Sequence, residues 1–300
     1  MQEGGKKAIV AAFLANLGIA IIKFVAFLVT GAATLLAESL HSLADTGNQA
    51  LLLFGSKRST RAATGTHPFG YGPERYFWSF IVALVLFSLG GLFALYEGIQ
   101  KLFDPHELEK PVWGFAVLIV AICLESFSLA TAVKETNHVR MRSSFWRFIR
   151  DAKHPELPVV LLEDVGALSG LFFALVGLTL AVITGNSKFD AIGSISIGIL
   201  LIIIAFILAR EMKSLLIGES VDKETALKIT NAITAGDEIK KIIHMKTMHL
   251  GPDDILLGVK VECQGNTAQD IANEIDSVEK RIREAVPTIK TIYIEPDIAR

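Results

Sequence analysis

His41 and Asp45 stand four residues apart in a long apolar stretch. On a helix that spacing puts both side chains on one face. There an imidazole and a carboxylate can grip a single divalent cation. Glu38 and Asn48 extend the same polar stripe by three residues on either side. The other use of such a pair is an internal hydrogen bond that fixes helix packing. The apolar surroundings favour cation binding, because ionisable groups inside a membrane helix are costly and usually functional. Glu163 and Asp164 place two more carboxylates in another apolar stretch. Neighbours on a helix point about 100° apart, so a regular helix cannot turn both on one ion. One would ligate while the other accepts a hydrogen bond or faces the entrance. Gly166 and Gly170, four apart, would let a neighbouring helix approach closely. Glu125 is alone in a further apolar run, open to carrying a proton, pairing with Lys23 or hydrogen bonding. Lys23 itself is read as snorkelling toward an interface.

The elements that must position these groups are membrane helices. Apolar residues make up 51% of the 300-residue chain, enough to set it apart from ordinary soluble domains. Six apolar runs fall at 8–30, 34–56, 76–100, 112–133, 158–184 and 190–217. Each is near or above the roughly 20 residues that cross a hydrocarbon core. Only helices satisfy their backbones there without closing a barrel. Lys57, Arg58, Arg61 and Arg75 follow the second run; Lys134, Arg140, Arg142, Arg147, Arg150 and Lys153 follow the fourth. The alternate loops are poor in cations, so the cation-rich loops belong on the cytoplasmic side. Lys6 and Lys7 put the N-terminus on that side, and six crossings return the C-terminus to it. The first run is too long for a signal-peptide core and lacks a small-residue cleavage site after it, so no cleavable signal is expected. A bacterial inner membrane is the default location. Two cysteines, Cys123 and Cys263, cannot build a disulfide framework, and a net charge of −2 argues against nucleic acid as a partner.

Charge density doubles near position 219: residues 219–300 hold 26 charged side chains in 82 positions. The expected domains are therefore a six-helix transmembrane domain at 1–218 and a soluble cytoplasmic domain at 219–300. The tail reads helix (222–235), strand (243–250), turn (Gly251-Pro252-Asp253-Asp254), strand, helix and strand (289–295). Ile255, Leu257, Val259, Val261 and Cys263 would share one face of the second strand. Thr267 and Asp270 resemble a capping box, and Pro287 ends the helix they begin. This αββαβ order is that of a small α+β, ferredoxin-like domain. About 80 residues fold alone only marginally, so dimerisation is a natural supplement.

These residues carry a family resemblance. The run from Ala37 through Glu38 and His41 to Asp45 resembles the second-helix signature of the cation diffusion facilitator family, and His67-Pro68-Phe69-Gly70-Tyr71-Gly72-Pro73-Glu74 its first cytoplasmic loop. Asn16, Lys23 and Gly31 are similar to its first-helix pattern, and Asp190-Ala191-Ile192-Gly193-Ser194 to the opening of its sixth helix. Glu163-Asp164-Val165-Gly166-Ala167-Leu168 resembles the zinc transporter 9-type branch. The resemblance implies a homodimeric exporter of divalent metal, usually Zn²⁺, driven by proton antiport. It implies metal ligands His41 and Asp45 from helix two and Asp164 from helix five. The partner the family places four residues before Asp164 is Val160 here, so Glu163, Glu38, Asn48 or water must complete the set. The family's loop and tail metal sites carry over only to His67 and His244. Tyr71, Thr64, Lys260 and Glu295 occupy other positions of those sites, so the tail reads better as a metal-free dimerisation module.

One imidazole with two or three carboxylates suits Zn²⁺ and leaves Mn²⁺, Fe²⁺ or Co²⁺ open. Such a site sheds protons when it loads metal, which is the basis of antiport; His41 is the best proton partner. A cation channel would need a continuous polar path; an intramembrane hydrolase would need ligands, a general base and a bound water, which Glu163 beside Asp164 keeps open although no His-Glu-x-x-His motif supports it. A membrane-tethered regulatory protein with a vestigial site is the third reading. Transport, not catalysis, is the expectation.

Overall fold

The computed structural model describes residues 3–30, 33–104, 111–140 and 144–298; the side chains of 3–8, 26–27, 29–30, 33–41, 111 and 113 are also outside what is described. The chain divides into two compact units, Met1–Lys57 with Arg75–Lys213, and Arg58–Glu74 with Ser214–Arg300. The segment 58–74 thus groups with the tail.

The first unit is helical. In chain order it contains α1 (Glu3–Thr30), α2 (Ala33–Ser59), α3 (Glu74–Val85), α4 (Phe93–Phe103), α5 (Pro111–Val139), α6 (Phe145–Asp151), α7 (Glu156–Thr184) and α8 (Lys188–Ile217). A π-helical turn at Leu86–Leu92 joins α3 to α4, so 74–103 runs as one rod. Among the described residues, four stretches are long and apolar enough to cross a membrane: Glu74–Phe103, Gly114–Val139, Glu156–Thr184 and Lys188–Ile217. α1 contributes a shorter apolar stretch, Ile9–Val25, among its described residues. α2 is long enough, but Asp45, Asn48, Gln49, Lys57 and Arg58 dilute its hydropathy. Six long helices therefore match the six expected runs, and four of them qualify as spans on length and composition.

Packing in this unit depends on close helix approach. A Cβ on Gly198 of α8 would lie 2.7 Å from the Leu95 amide nitrogen and 2.9 Å from the Gly91 carbonyl oxygen, so backbone meets backbone there. Gly166 of α7 instead makes room for a side chain of α8: a Cβ there would lie 2.8 Å from Ile204 Cδ1. α5 packs against both α1 and α7. Leu52, Val82, Val160, Leu161, Ile204 and Leu208 are buried together in the core. Two features depart from the sequence reading. Residues 145–151, read as part of a cation-rich loop, form α6, whose Ser144 hydroxyl accepts from the Arg147 amide at 3.2 Å; seven residues are too few for a periodic signal. Arg75, read as a loop cation, is buried at the start of α3.

The second unit carries α9 (Lys223–Thr234), β1 (Ile239–Gly251), β2 (Asp254–Cys263), α10 (Ala268–Ala285) and β3 (Ile289–Pro296). The sheet order is β1-β2-β3, with β1 and β2 antiparallel through the Gly251–Asp254 turn and β2 and β3 parallel across α10. Alternation along β2 buries Ile255, Leu257, Val259, Val261 and Cys263, the face expected from their spacing. Ile229 and Ile233 of α9 and Val278 and Ile282 of α10 cover that face. Thr267 and Asp270 form the full capping box. Asp222 caps α9 by accepting from the Thr225 amide at 2.9 Å, and those hydrogen bonds outweigh its partial burial to hold its carboxyl below the ordinary value. β1 runs longer than expected, starting at 239, because its first residues pair with the end of β2.

Candidate metal site

Four helices bring the polar groups of the first unit together. On α2, Asn48 and Gln49 are buried and aim their amides at α7. Asn48 Nδ2 donates to Glu163 Oε1 at 3.1 Å, and Gln49 Nε2 donates to Glu163 Oε2 at 2.9 Å. Gln49 Oε1 in turn accepts from Asn16 Nδ2 of α1 at 3.4 Å. A relay thus runs Asn16–Gln49–Glu163 across α1, α2 and α7. Each Glu163 oxygen is occupied by an amide donor. The regular turn of α7 sends its neighbour elsewhere: Asp164 Oδ2 accepts from Ser128 Oγ of α5 at 2.9 Å. The two adjacent carboxylates therefore serve different helices, as their 100° offset requires.

Asp45 lies one turn before Asn48 on α2 and is half-buried. The carboxyls of Asp45, Glu125, Glu163 and Asp164 are near enough for their charges to act on one another. Lys23 is buried rather than snorkelling; its Nζ donates to Ser42 Oγ of α2 at 3.2 Å, and its charge reaches Glu125. Among the described residues, four carboxyls stand against one ammonium and leave an excess of negative character in a buried place. Buried charge demands a counter-charge, so the arrangement is chemically suited to a cation. Asn48 Oδ1 adds to this. Among the described residues this buried carbonyl oxygen has no hydrogen-bond partner, a feature that calls for an explanation because leaving it unpaired costs about 1–3 kcal/mol. A cation between α2 and α7 would satisfy it.

The side chains of His41 and Glu38 lie outside the described residues; the α2 backbone places them one and two turns before Asp45. Among the described residues, no three His, Cys, Asp or Glu side chains already enclose an ion. An ion would have to draw the carboxylates inward. Val160, where the resemblance expects a ligand, is buried in the apolar core.

The two other histidine positions are differently placed. His67 is exposed, stacks on Tyr71 with ring centroids 4.6 Å apart, and meets Thr66 Oγ1 through Nδ1 at 3.1 Å. His244 is exposed on β1, opposite Lys260 of β2. The Lys260 ammonium sits between Glu295 at 2.9 Å and Asp297 at 3.0 Å. These two carboxylates push the Lys260 ammonium up, and Lys260 holds Asp297 below the ordinary value. A resident ammonium thus occupies the place between these carboxylates.

Gln49, Ser128 and the buried pair Arg75–Glu156 escape the sequence reading. Gln49 adjoins Asn48 and extends the stripe by four from Asp45, which is a usable signal. Ser128 is one turn from Glu125. Arg75 Nε lies 3.0 Å from Glu156 Oε1, with side chains only 3% and 2% exposed. Arg75 also donates to Ser56 at 3.2 Å and meets His154 Nδ1 at 3.3 Å. Both members sit at the ends of apolar runs, where charges ordinarily face water.

Residues 9–217 match the model of the cation efflux transmembrane domain. The mitochondrial proton-coupled zinc antiporter of Mus musculus is 29% identical over 265 residues, covering 88% of this chain and 47% of that protein. Its Xenopus laevis counterpart is 31% identical over 270 residues, covering 88% and 48%. Metal tolerance protein C4 of Arabidopsis thaliana is 26% identical over 341 residues, covering 98% and 74%. The chain spans about half the length of the zinc antiporters it matches.

Proposed function

This chain belongs to the cation efflux family and is a multi-pass membrane protein, and from that premise we propose that it exports a divalent metal, Zn²⁺ first, in exchange for protons. The ion is held between α2 and α7, by His41, Asp45 and the Asn48 carbonyl oxygen on one side and Asp164 on the other. The observation that carries this reading is the orphaned Asn48 Oδ1 beside converging carboxyls of α2 and α7. Glu163 acts as a strut, since both its oxygens are already taken by Asn48 and Gln49.

Antiport follows from competition for the same atoms. A carboxylate or imidazole can hold a proton or a metal ion, not both at one lone pair. Open to the cytoplasm, the site sheds protons as it loads metal. Open to a more acidic far side, it takes protons and releases metal. Alternation between the two states moves α2 and α7 with their neighbours. All six long helices cross the membrane, both termini face the cytoplasm of a bacterial-type inner membrane, and 219–300 dimerises the protein without metal of its own. The Lys260 ammonium between Glu295 and Asp297 supports that last point. The related zinc antiporters support Zn²⁺ as cargo. A site rich in carboxylates and lacking the ligand at Val160 accommodates the harder ions Mn²⁺, Fe²⁺ and Co²⁺ as well.

The test is Zn²⁺ movement in proteoliposomes under an imposed pH gradient, with Mn²⁺ as competitor. The unaltered chain accumulates Zn²⁺ against its gradient, and Asp45→Ala and Asp164→Asn abolish this. Flux indifferent to the pH gradient refutes the exchange mechanism, and flux retained in both variants refutes the site.

A further inference from the structure

Among the described residues the buried face of α5 is made of Ala121, Glu125, Ser128, Ala132 and Thr136, spaced 4, 3, 4 and 4 residues apart and hence on one stripe. Four are small. The fifth is a carboxylic acid only 7% exposed. Within this stripe Ser128 reaches Asp164 of α7 directly, at 2.9 Å. Glu125 lies three residues earlier, about 4.5 Å along the same face, with no side chain larger than alanine or serine beside it on the stripe. Among the described residues it makes no hydrogen bond. Glu163 and Asp164 each have donors; among the described residues Glu125 has instead the fields of Asp45, Glu163, Asp164 and the Lys23 ammonium around it. A carboxyl that is nine-tenths buried, carries no hydrogen bond and points among other carboxyls is unexplained by packing. Leucine or alanine would fill the stripe at less cost.

We propose that Glu125 is a direct ligand of the transported cation, the contribution of α5 to a site otherwise built from α2 and α7. This rests on the export reading above and adds to it. An ion drawn between Asp45 and Asp164 lies beside the α5 stripe. The small neighbours give the Glu125 side chain room to swing onto it. The third carboxylate then takes the place in the coordination shell that Val160 cannot fill. It comes from a different helix, which is why spacing along α7 gives no hint of it.

The experiment is equilibrium Zn²⁺ binding to the full chain in detergent, read by competition with a chromophoric chelator, with no pH gradient. Glu125→Gln keeps the shape and removes the charge. It is expected to weaken Zn²⁺ binding by about 100-fold, since groups that merely orient a ligand are already worth 10–100-fold. Glu125→His is expected to raise the Zn²⁺ over Mn²⁺ preference at least about tenfold, because imidazole is the softer donor. A positioning role would not move that ratio. Unchanged affinity in Glu125→Gln overturns the proposal, and so does an unchanged metal ratio in Glu125→His, whatever either does to stability. Both results leave the export reading intact if Asp164→Asn still loses binding. No binding by the unaltered chain overturns that reading and this inference with it.

Discussion

Replacing Arg75 by methionine is expected to destabilise the helical unit by about 3–5 kcal/mol. Three groups depend on this guanidinium: Glu156 at 3.0 Å, Ser56 at 3.2 Å and His154 at 3.3 Å. Arg75 belongs to α3, Ser56 to α2 and Glu156 to α7, so one side chain ties three helices. With Glu156 2% exposed, removal of Arg75 takes the guanidinium at 3.0 Å away from a buried carboxylate. That lost charge pairing dominates the cost; the lost bond to Ser56 adds about 1 kcal/mol. Replacing both partners by apolar residues of similar volume, Arg75→Met with Glu156→Leu, removes that carboxylate too. It is expected to recover most of the loss, giving a coupling of about 2–3 kcal/mol in a double-mutant cycle. The assay is denaturant unfolding in micelles followed by tryptophan emission. Trp78 is a local reporter, three residues from Arg75 on α3 and edge-on to Phe54 of α2 at 5.0 Å. A single substitution costing under about 0.5 kcal/mol, or a strictly additive double variant, would show that the pair is hydrated and ties nothing.

Gln49→Ala removes one donor from a buried carboxylate and the acceptor for Asn16. It is expected to cost about 2–3 kcal/mol in the same unfolding assay, and no measurable change would refute the relay. In Gly72→Ala the new Cβ would press on the Leu250 carbonyl oxygen and come within 3.0 Å of the Gly251 Cα, both of them backbone. The segment 58–74 is then expected to lift from the β1–β2 turn, so that trypsin cuts at Arg61 faster than in the unaltered chain. Arg281 holds Glu238 through two hydrogen bonds, at 2.8 and 3.0 Å, and keeps its carboxyl below the ordinary value. A depressed folded value means that this contribution is full above the ordinary glutamate range, near 4.3, and is lost as pH falls from there through the lower folded value. Arg281→Ala is expected to lower tail stability at neutral pH and to flatten its acid dependence; unaltered acid sensitivity would place the dependence in other groups.

Much of the tail was legible because each device is local. β2 alternates strictly over ten residues, and Thr267 and Asp270 cap α10 through contacts three positions apart. The membrane helices were legible for a similar reason: apolar runs of the right length have one stable form in lipid. The reading failed where a group's partner is remote in sequence. Arg75 looks like any loop cation until Glu156, 81 positions on, lies beside it. Lys23 looks free to snorkel until Ser42 of α2 receives it.

For the site, the sequence by itself determined which chemistry was available: a polar stripe on α2 through Asp45 and Asn48, and two carboxylates on α7 that could not face one way. Only the tertiary structure decided how they are shared. Helix spacing fixes angles within one helix but not which neighbour each angle meets. The packing of α1, α2, α5 and α7 turns Glu163 to Asn48 and Gln49, gives Asp164 to Ser128, and leaves the Asn48 carbonyl oxygen and Glu125 without hydrogen-bond partners among the described residues. Those unmet groups exist only because separate helices close around them.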